Sequence, residues 1–115
     1  MIARLWKTKC PARHKRGFLE HLQRTGIDET TATPGFQGAQ VLARDMPKED
    51  KEDMVDMVEI ALITYWDGLE SIKAFAGDDI DVARLYPGDE RYELDPDDFV
   101  THYAVVDGQG FGAAG

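Results

Sequence analysis

A chain of 115 residues, 43% hydrophobic and 30% charged, has the size and composition of one globular domain. Its net charge of −9 repels phosphate backbones and anionic membranes, so we expect no nucleic-acid partner and no membrane partner. The N-terminus has no long apolar run and Cys10 is the single cysteine, so we expect no signal peptide, no membrane span, no intrachain disulfide and a cytoplasmic location.

The first two elements are a strand and a helix. Residues 1–8 predict a strand in which alternate residues from Ile2 to Trp6 share one face. Pro11 can start a helix without losing a hydrogen bond, and the apolar spacing that follows predicts a helix over about 12–25.

A polar loop over 26–34 leads to a second strand, predicted over 35–44, whose glycines indicate a bend or bulge. Residues 45–56 are dense in Lys, Glu and Asp and predict a solvated connection between two strands.

Residues 57–66 are the strongest strand signal in the chain. They are β-branched, aromatic and nearly continuously apolar, which indicates a strand covered on both faces. Two helices can cover one face of so small a sheet, and a second copy of the chain would cover the other.

A second helix should follow this strand. Asp67 and Glu70 have the spacing of a capping box, apolar residues then fall on one helical face, and Gly77 is placed to end the helix. A further short helical turn is predicted to begin at Asp78 or Asp79 and to run through Leu85.

The last segments are an acidic loop over 88–98, a strand over 99–106 and an unanchored tail over 108–115. The order strand, helix, strand, strand, helix, strand predicts an α+β, ferredoxin-like βαββαβ domain over 1–107, in which both helices lie on one face of a four-stranded antiparallel sheet.

Four motifs carry a family resemblance that spans residues 1–107. They are Pro34-Gly35-Phe36-Gln37-Gly38, Thr64-Tyr65-Trp66-Asp67, Ile72-Lys73-Ala74-Phe75-Ala76-Gly77-Asp78-Asp79 with Ala83 and Pro87 after it, and His102-Tyr103 with Val105. In this order they resemble the antibiotic-biosynthesis-monooxygenase-like proteins of the dimeric α+β barrel superfamily. The resemblance implies a homodimer and two known kinds of enzyme: cofactor-free monooxygenases of polyphenolic or quinol substrates, and haem-degrading enzymes.

Haem degradation fits these residues poorly. The resemblance implies a His on the second helix and an Asn on strand one, yet residues 68–86 contain no His and strand one contains no Asn. Only Trp66 matches. We therefore expect no cofactor.

His102 and Arg4 are the candidate catalytic residues. His102 would lie beside strand one and could act as a general base, since imidazole titrates near neutral pH; the alternative is a half-buried His satisfied by one hydrogen bond. Arg4 shares the strand face of Trp6 and could stabilise a phenolate or enolate oxygen; the alternative is an outward salt bridge with Glu59 or another acid.

Five aromatic residues are candidates for a ligand-binding wall, which suits a planar ligand: Trp6, Trp66, Phe75, Tyr65 and Tyr103. The alternative is ordinary packing in the core and at a dimer interface. His14 and His21 lie two helical turns apart, about 11 Å, too far for one metal ion, so we expect surface or rim positions and no metal site.

Two functions follow from the resemblance and these residues. One is a cofactor-independent monooxygenase of a small phenolic or quinol-like metabolite, an oxidoreductase. The other is a non-catalytic dimer that binds a small aromatic ligand or serves a stress response. An isomerase or lyase would use the same pocket, and the sequence does not separate it from the first.

Overall fold

The computed structural model describes residues 1–46, 56–83 and 85–108, so most of the predicted 45–56 connection and of the tail lie outside it. Its named elements are β1 (Ile2–Pro11), α1 (Lys15–Leu22), α2 (Asp28–Thr31), β2 (Phe36–Asp45), β3 (Met57–Trp66), α3 (Leu69–Ala76), β4 (Asp95–Pro96) and β5 (Thr101–Ala104). A 3-10 turn (Ala12–His14) precedes α1, a π-helical turn (Gln23–Ile27) joins α1 to α2, and a 3-10 helix (Asp89–Tyr92) precedes β4.

The sheet has the strand order of the predicted ferredoxin-like fold. β2 pairs with β3 and β3 with β1, while β4 and β5 share the remaining edge of β1. Every one of these pairings is antiparallel. The predicted strand 57–66 is confirmed at both ends, and the register shift between Phe36 and Gly38 confirms the expected bulge in the second strand.

The first helical segment is longer than predicted, and the expected loop at 26–34 is wrong for residues 26–31. Helical backbone continues through the π-helical turn to Thr31. The threonine hydroxyls of this extension bond to its backbone, since Thr30 and Thr31 both donate to the carbonyl of Ile27, at 2.9 and 2.8 Å. β1 also runs three residues beyond its predicted end, since Thr8 and Cys10 continue the buried alternation of the strand.

The predicted capping box does not form. Gly68 is the N-cap of α3, in extended backbone and with no side-chain cap, while the carboxylate of Asp67 accepts a hydrogen bond from Ser71. The predicted C-terminus is confirmed, because Gly77 ends the helix at φ 91°, a conformation that favours glycine.

Among the described residues, the helical turn predicted to begin at Asp78 or Asp79 forms only its first hydrogen bond, from the amide of Val82 to the carbonyl of Asp79 at 3.3 Å. Val82 instead pairs with Phe99, and the amide of Val100 donates to the carbonyl of Asp81 at 2.8 Å. Residues 98–100 therefore leave the edge of β1, after a last hydrogen bond from the amide of Asp97 to the carbonyl of Lys7 at 3.0 Å. The predicted strand 99–106 is reduced to Thr101–Ala104, with β4 as a separate piece before it.

The two faces of the sheet differ in burial. The inner face packs against α1 and carries core residues such as Cys10, Val58 and Ile60, which are at most 1% exposed. The outer face, centred on Leu5 and Ile63, is only half-buried in a single chain. The described part of the chain contains no helix long and apolar enough to cross a membrane.

Candidate functional site

A cavity lies between the inner face of the sheet, the helical segment that begins with α1, and the chain after α3. Its walls include Arg4, Trp6, Phe18, Thr64, Phe75 and Asp89. It encloses about 530 Å³ of space, including its open mouth, and the centre of a water molecule fits into about 40 Å³ of this. The enclosed part corresponds to roughly three water positions, so even a single-ring ligand would extend into the open mouth.

Arg4 places a buried guanidinium at the cavity wall. The residue is 4% exposed and its carbon Cζ lies 5.9 Å from the centre of the Phe75 ring. It donates to the carbonyls of Ile80 and Val82. Burial lowers the pKa of Arg4, and the nearby Asp81 carboxylate acts in the opposite direction. The alternative salt bridge with Glu59 is absent, since Glu59 pairs with Arg44 at 3.2 Å.

His102 contacts Arg4 and is not among the residues that line the cavity. Its Nε2 lies 3.1 Å from Arg4 Nη1, and its Nδ1 lies 3.3 Å from the Asp81 carboxylate. A guanidinium can only donate, so Nε2 accepts, and Nδ1 carries the proton that it donates to Asp81. Burial and the Arg4 charge lower the pKa of His102, which favours this neutral form. The lone pair that a general base would use is therefore directed at Arg4.

Trp6 contributes a buried donor to the cavity. The residue is 9% exposed, and its indole Nε1 has no hydrogen-bond partner among the described residues. A buried donor left without a partner costs about 1–3 kcal/mol, so the position favours a ligand with an acceptor oxygen.

The remaining aromatic candidates divide between the two faces of the sheet. Phe75 lines the cavity. Trp66 is fully buried behind Phe75, with the two ring centres 5.6 Å apart, and the Nε1 of Trp66 donates to Thr64. Tyr65 and Tyr103 flank Ala3 on the outer face, where Tyr65 donates to Gln40 and Tyr103 is 54% exposed. Strand alternation places these two tyrosines on the face opposite the cavity, so the structure does not bring them together with Phe75.

Sequence reasoning missed a buried pair that joins α1 to the 3-10 helix at the cavity wall. His21 Nε2 lies 2.7 Å from the carboxylate of Asp89, and their side chains are 7% and 13% exposed. The predicted rim position of His21 is therefore wrong, while His14, which pairs with Glu93 at 2.7 Å, is partly exposed. No sequence pattern links His21 to a carboxylate 68 positions away.

Comparisons with known proteins find a relative only among solved structures, because no family model and no curated protein matches the sequence. A mutant of MhuD, solved with two manganese protoporphyrin IX molecules per active site, shares 19% identity over 96% of this chain and 99% of its own, with a TM-score of 0.57. The chain shares the fold of this structure. This confirms the expected resemblance to the antibiotic-biosynthesis-monooxygenase-like members at the level of fold.

Two further structures match with lower scores. An ethd family protein from Bacillus halodurans is 21% identical over 70% of this chain and 76% of its own, with a TM-score of 0.44. Rv0793 from Mycobacterium tuberculosis is 16% identical over 95% and 99%, with a TM-score of 0.46.

The lining of this cavity does not suit a porphyrin. Of the described lining residues, only Tyr86 has a side chain of a type that ligates haem iron, and the enclosed space is too small for a macrocycle. Over residues 1–46, 56–83 and 85–108, no three His, Cys, Asp or Glu side chains are grouped to hold a metal ion.

Proposed function

We propose that the chain is a cofactor-independent monooxygenase that oxidises a small phenolic or quinol-like compound held as its anion. The observation that carries the proposal is the buried Arg4 guanidinium at the wall of a largely apolar cavity. In such surroundings a cation strongly favours an anionic oxygen, and the free indole donor of Trp6 would bind an acceptor on the same ligand.

The chemistry needs an electron-rich ring and dissolved oxygen. Arg4 would stabilise the phenolate, and Phe18 and Phe75 would keep the ring away from water. The phenolate passes an electron to O₂; one oxygen atom enters the ring and the other leaves as water, so a phenol and O₂ give a quinone and water.

We assign His102 to positioning. Its Nε2 accepts from Arg4, and this contact orients the guanidinium toward the ligand from outside the cavity lining. For His102 to act as the base, as the sequence suggested, Arg4 would first have to release it.

Oxygen uptake with single-ring quinols tests the proposal. We expect uptake above the buffer rate, a loss of about tenfold or more in kcat/KM for Arg4→Met, since a lost charged hydrogen bond is worth about 1.5–3 kcal/mol, and a smaller loss for Arg4→Lys. Arg44→Met is the matched control, because Arg44 pairs with Glu59 on the sheet surface. No uptake above buffer, or full activity in a folded Arg4→Met protein, contradicts the proposal.

A non-catalytic binding protein is the second candidate, and one observation favours it. The lone pair of His102 is directed at Arg4, so the base predicted from the sequence is not available in this geometry. Tight binding of a quinol without oxygen uptake would select this function.

We further propose that the chain is a cytoplasmic homodimer. The outer sheet face presents Leu5, Ala61, Ile63 and Tyr65, half-buried, together with Leu42 at 51% and Tyr103 at 54% exposure. A second copy of the same face would cover these side chains, and so complete the sheet packing that a single chain leaves unfinished.

A further inference from the structure

Asp89 is the second charged group of the cavity wall. One carboxylate oxygen lies 2.7 Å from His21 Nε2, and the other accepts the backbone amide of Tyr86 at 2.8 Å. Both partners are N–H donors to the carboxylate. An ionised carboxylate has about four acceptor positions, so Asp89 can accept a further hydrogen bond from the cavity side.

Structural stabilisation does not by itself explain the pairing of His21 with Asp89. The bridge between His14 and Glu93 already joins the start of α1 to the end of the 3-10 helix, in a more exposed position, with side chains 26% and 56% exposed. Burying a second bridge of the same kind adds a desolvation cost that its attraction only partly offsets. Because Asp89 also lines the cavity, its carboxylate is placed to bind a ligand as well as His21.

Arg4 and Asp89 have different polar partners within the one cavity. Asp81, outside the lining, is the carboxylate that raises the pKa of Arg4, while Asp89 is held by His21. The wall therefore presents donors at Arg4 and Trp6 and a distinct acceptor at Asp89.

We propose that Asp89 is a specificity-determining residue, and that the cavity takes a single ring with an anionic or acceptor oxygen toward Arg4 and a hydroxyl or amino donor toward Asp89. The inference about Asp89 rests on the proposed function in one respect, that the ligand is aromatic. It narrows the substrate class to rings with two polar substituents of opposite hydrogen-bonding character, such as a quinol monoanion. A ring with carboxylates at both ends is rejected, because one of them would face the Asp89 carboxylate.

Equilibrium binding of three probes to the wild-type protein tests this ligand class. We expect 4-hydroxybenzoate to bind about tenfold or more tightly than benzoate, because a hydrogen bond to a charged group is worth about 1.5–3 kcal/mol. Terephthalate should bind more weakly than benzoate. The resonance of the Trp6 indole N–H, assigned with Trp6→Phe, should shift with bound 4-hydroxybenzoate.

Asp89→Asn should reduce the preference for 4-hydroxybenzoate to within about threefold of benzoate and improve terephthalate binding, since a carboxamide both donates and accepts. Glu93→Gln is the matched control and should keep the wild-type ranking. If Asp89→Asn does not fold, the order in which the wild-type protein binds the three probes tests the inference.

Two outcomes overturn the inference: equal wild-type affinity for 4-hydroxybenzoate and benzoate, or an unchanged preference in a folded Asp89→Asn protein. Oxygen uptake separates this result from the proposed function. If the three probes bind in the predicted order but no oxygen is consumed, the inference about Asp89 is supported and the monooxygenase proposal fails. If oxygen is consumed in a way that depends on Arg4 but the probes do not bind in that order, the monooxygenase proposal is supported and the inference about Asp89 fails.

Discussion

Arg4, His102 and Asp81 form a chain of polar contacts that runs from the cavity wall to the surface. Arg4 is almost completely buried, the His102 side chain is 12% exposed, and that of Asp81 is 70% exposed. The chain fixes His102 in its neutral form, because Arg4 donates to one ring nitrogen and Asp81 accepts from the other.

This arrangement makes the stability of the protein depend on pH through His102. Its folded-state pKa is lowered, mainly by burial and then by the charge of Arg4, so the neutral imidazole is favoured in the folded state. Its contribution is present above the unfolded pKa of about 6.5 and is lost as pH falls through the lower folded value. The unfolding free energy from urea titrations at pH 7.5 to 5 should fall more steeply for wild type than for His102→Gln. Parallel curves would contradict this.

The sequence predicted some of these residues and not others, for a physical reason. Arg4 and Trp6 were expected to share a strand face, and both line the cavity, because the period of two acts within one strand. Asp89 and His21 meet only through the packing of the 3-10 helix on α1, which no local pattern encodes. Site residues that depend on contacts between distant segments were therefore missed.

Among the elements, the central strand was the most predictable. β3 was expected at its observed bounds because its β-branched and aromatic residues suit a pleated, buried strand surface. Residues 78–85 were expected to be helical from their apolar spacing, but the backbone of 81–83 pairs with that of 98–100 instead. In this segment tertiary pairing overrides the local preference.

The junction between the start of β2 and the end of β3 depends on one glycine. Gly35 has a φ of 93°, and a β-carbon there would lie 2.0 Å from Ser71 Oγ and 2.7 Å from Asp67 Oδ1. We expect Gly35→Ala to destabilise the fold by more than the roughly 1–3 kcal/mol of backbone strain alone.

Gly77→Ala is the control for Gly35→Ala, because its φ is 91° and nothing lies within 4 Å of the added carbon. It should show the backbone strain without the steric clash. Urea unfolding of the two variants measures the difference, and equal losses would show that Ser71 and Asp67 yield at no cost.

At the scale of the molecule, the uncovered outer face of the sheet predicts the assembly. We expect the wild-type chain to sediment as a dimer at micromolar concentration. Ile63→Glu, at the centre of the outer face opposite Leu5, should give monomers, because the carboxylate would be buried without a partner. Leu69→Glu, on the 52% exposed Leu69 of α3, should leave the dimer intact. A wild-type monomer would contradict the proposed assembly.

The interruption between β4 and β5 has a consequence for how this architecture can diversify. The chain leaves β1 after Asp97 and returns at Thr101, and Val100, between these two points, lines the cavity. Because the pairing on either side is anchored independently, insertions or deletions there need not shift the register of the sheet. Homologues could in this way acquire differently shaped binding chambers on an unchanged scaffold.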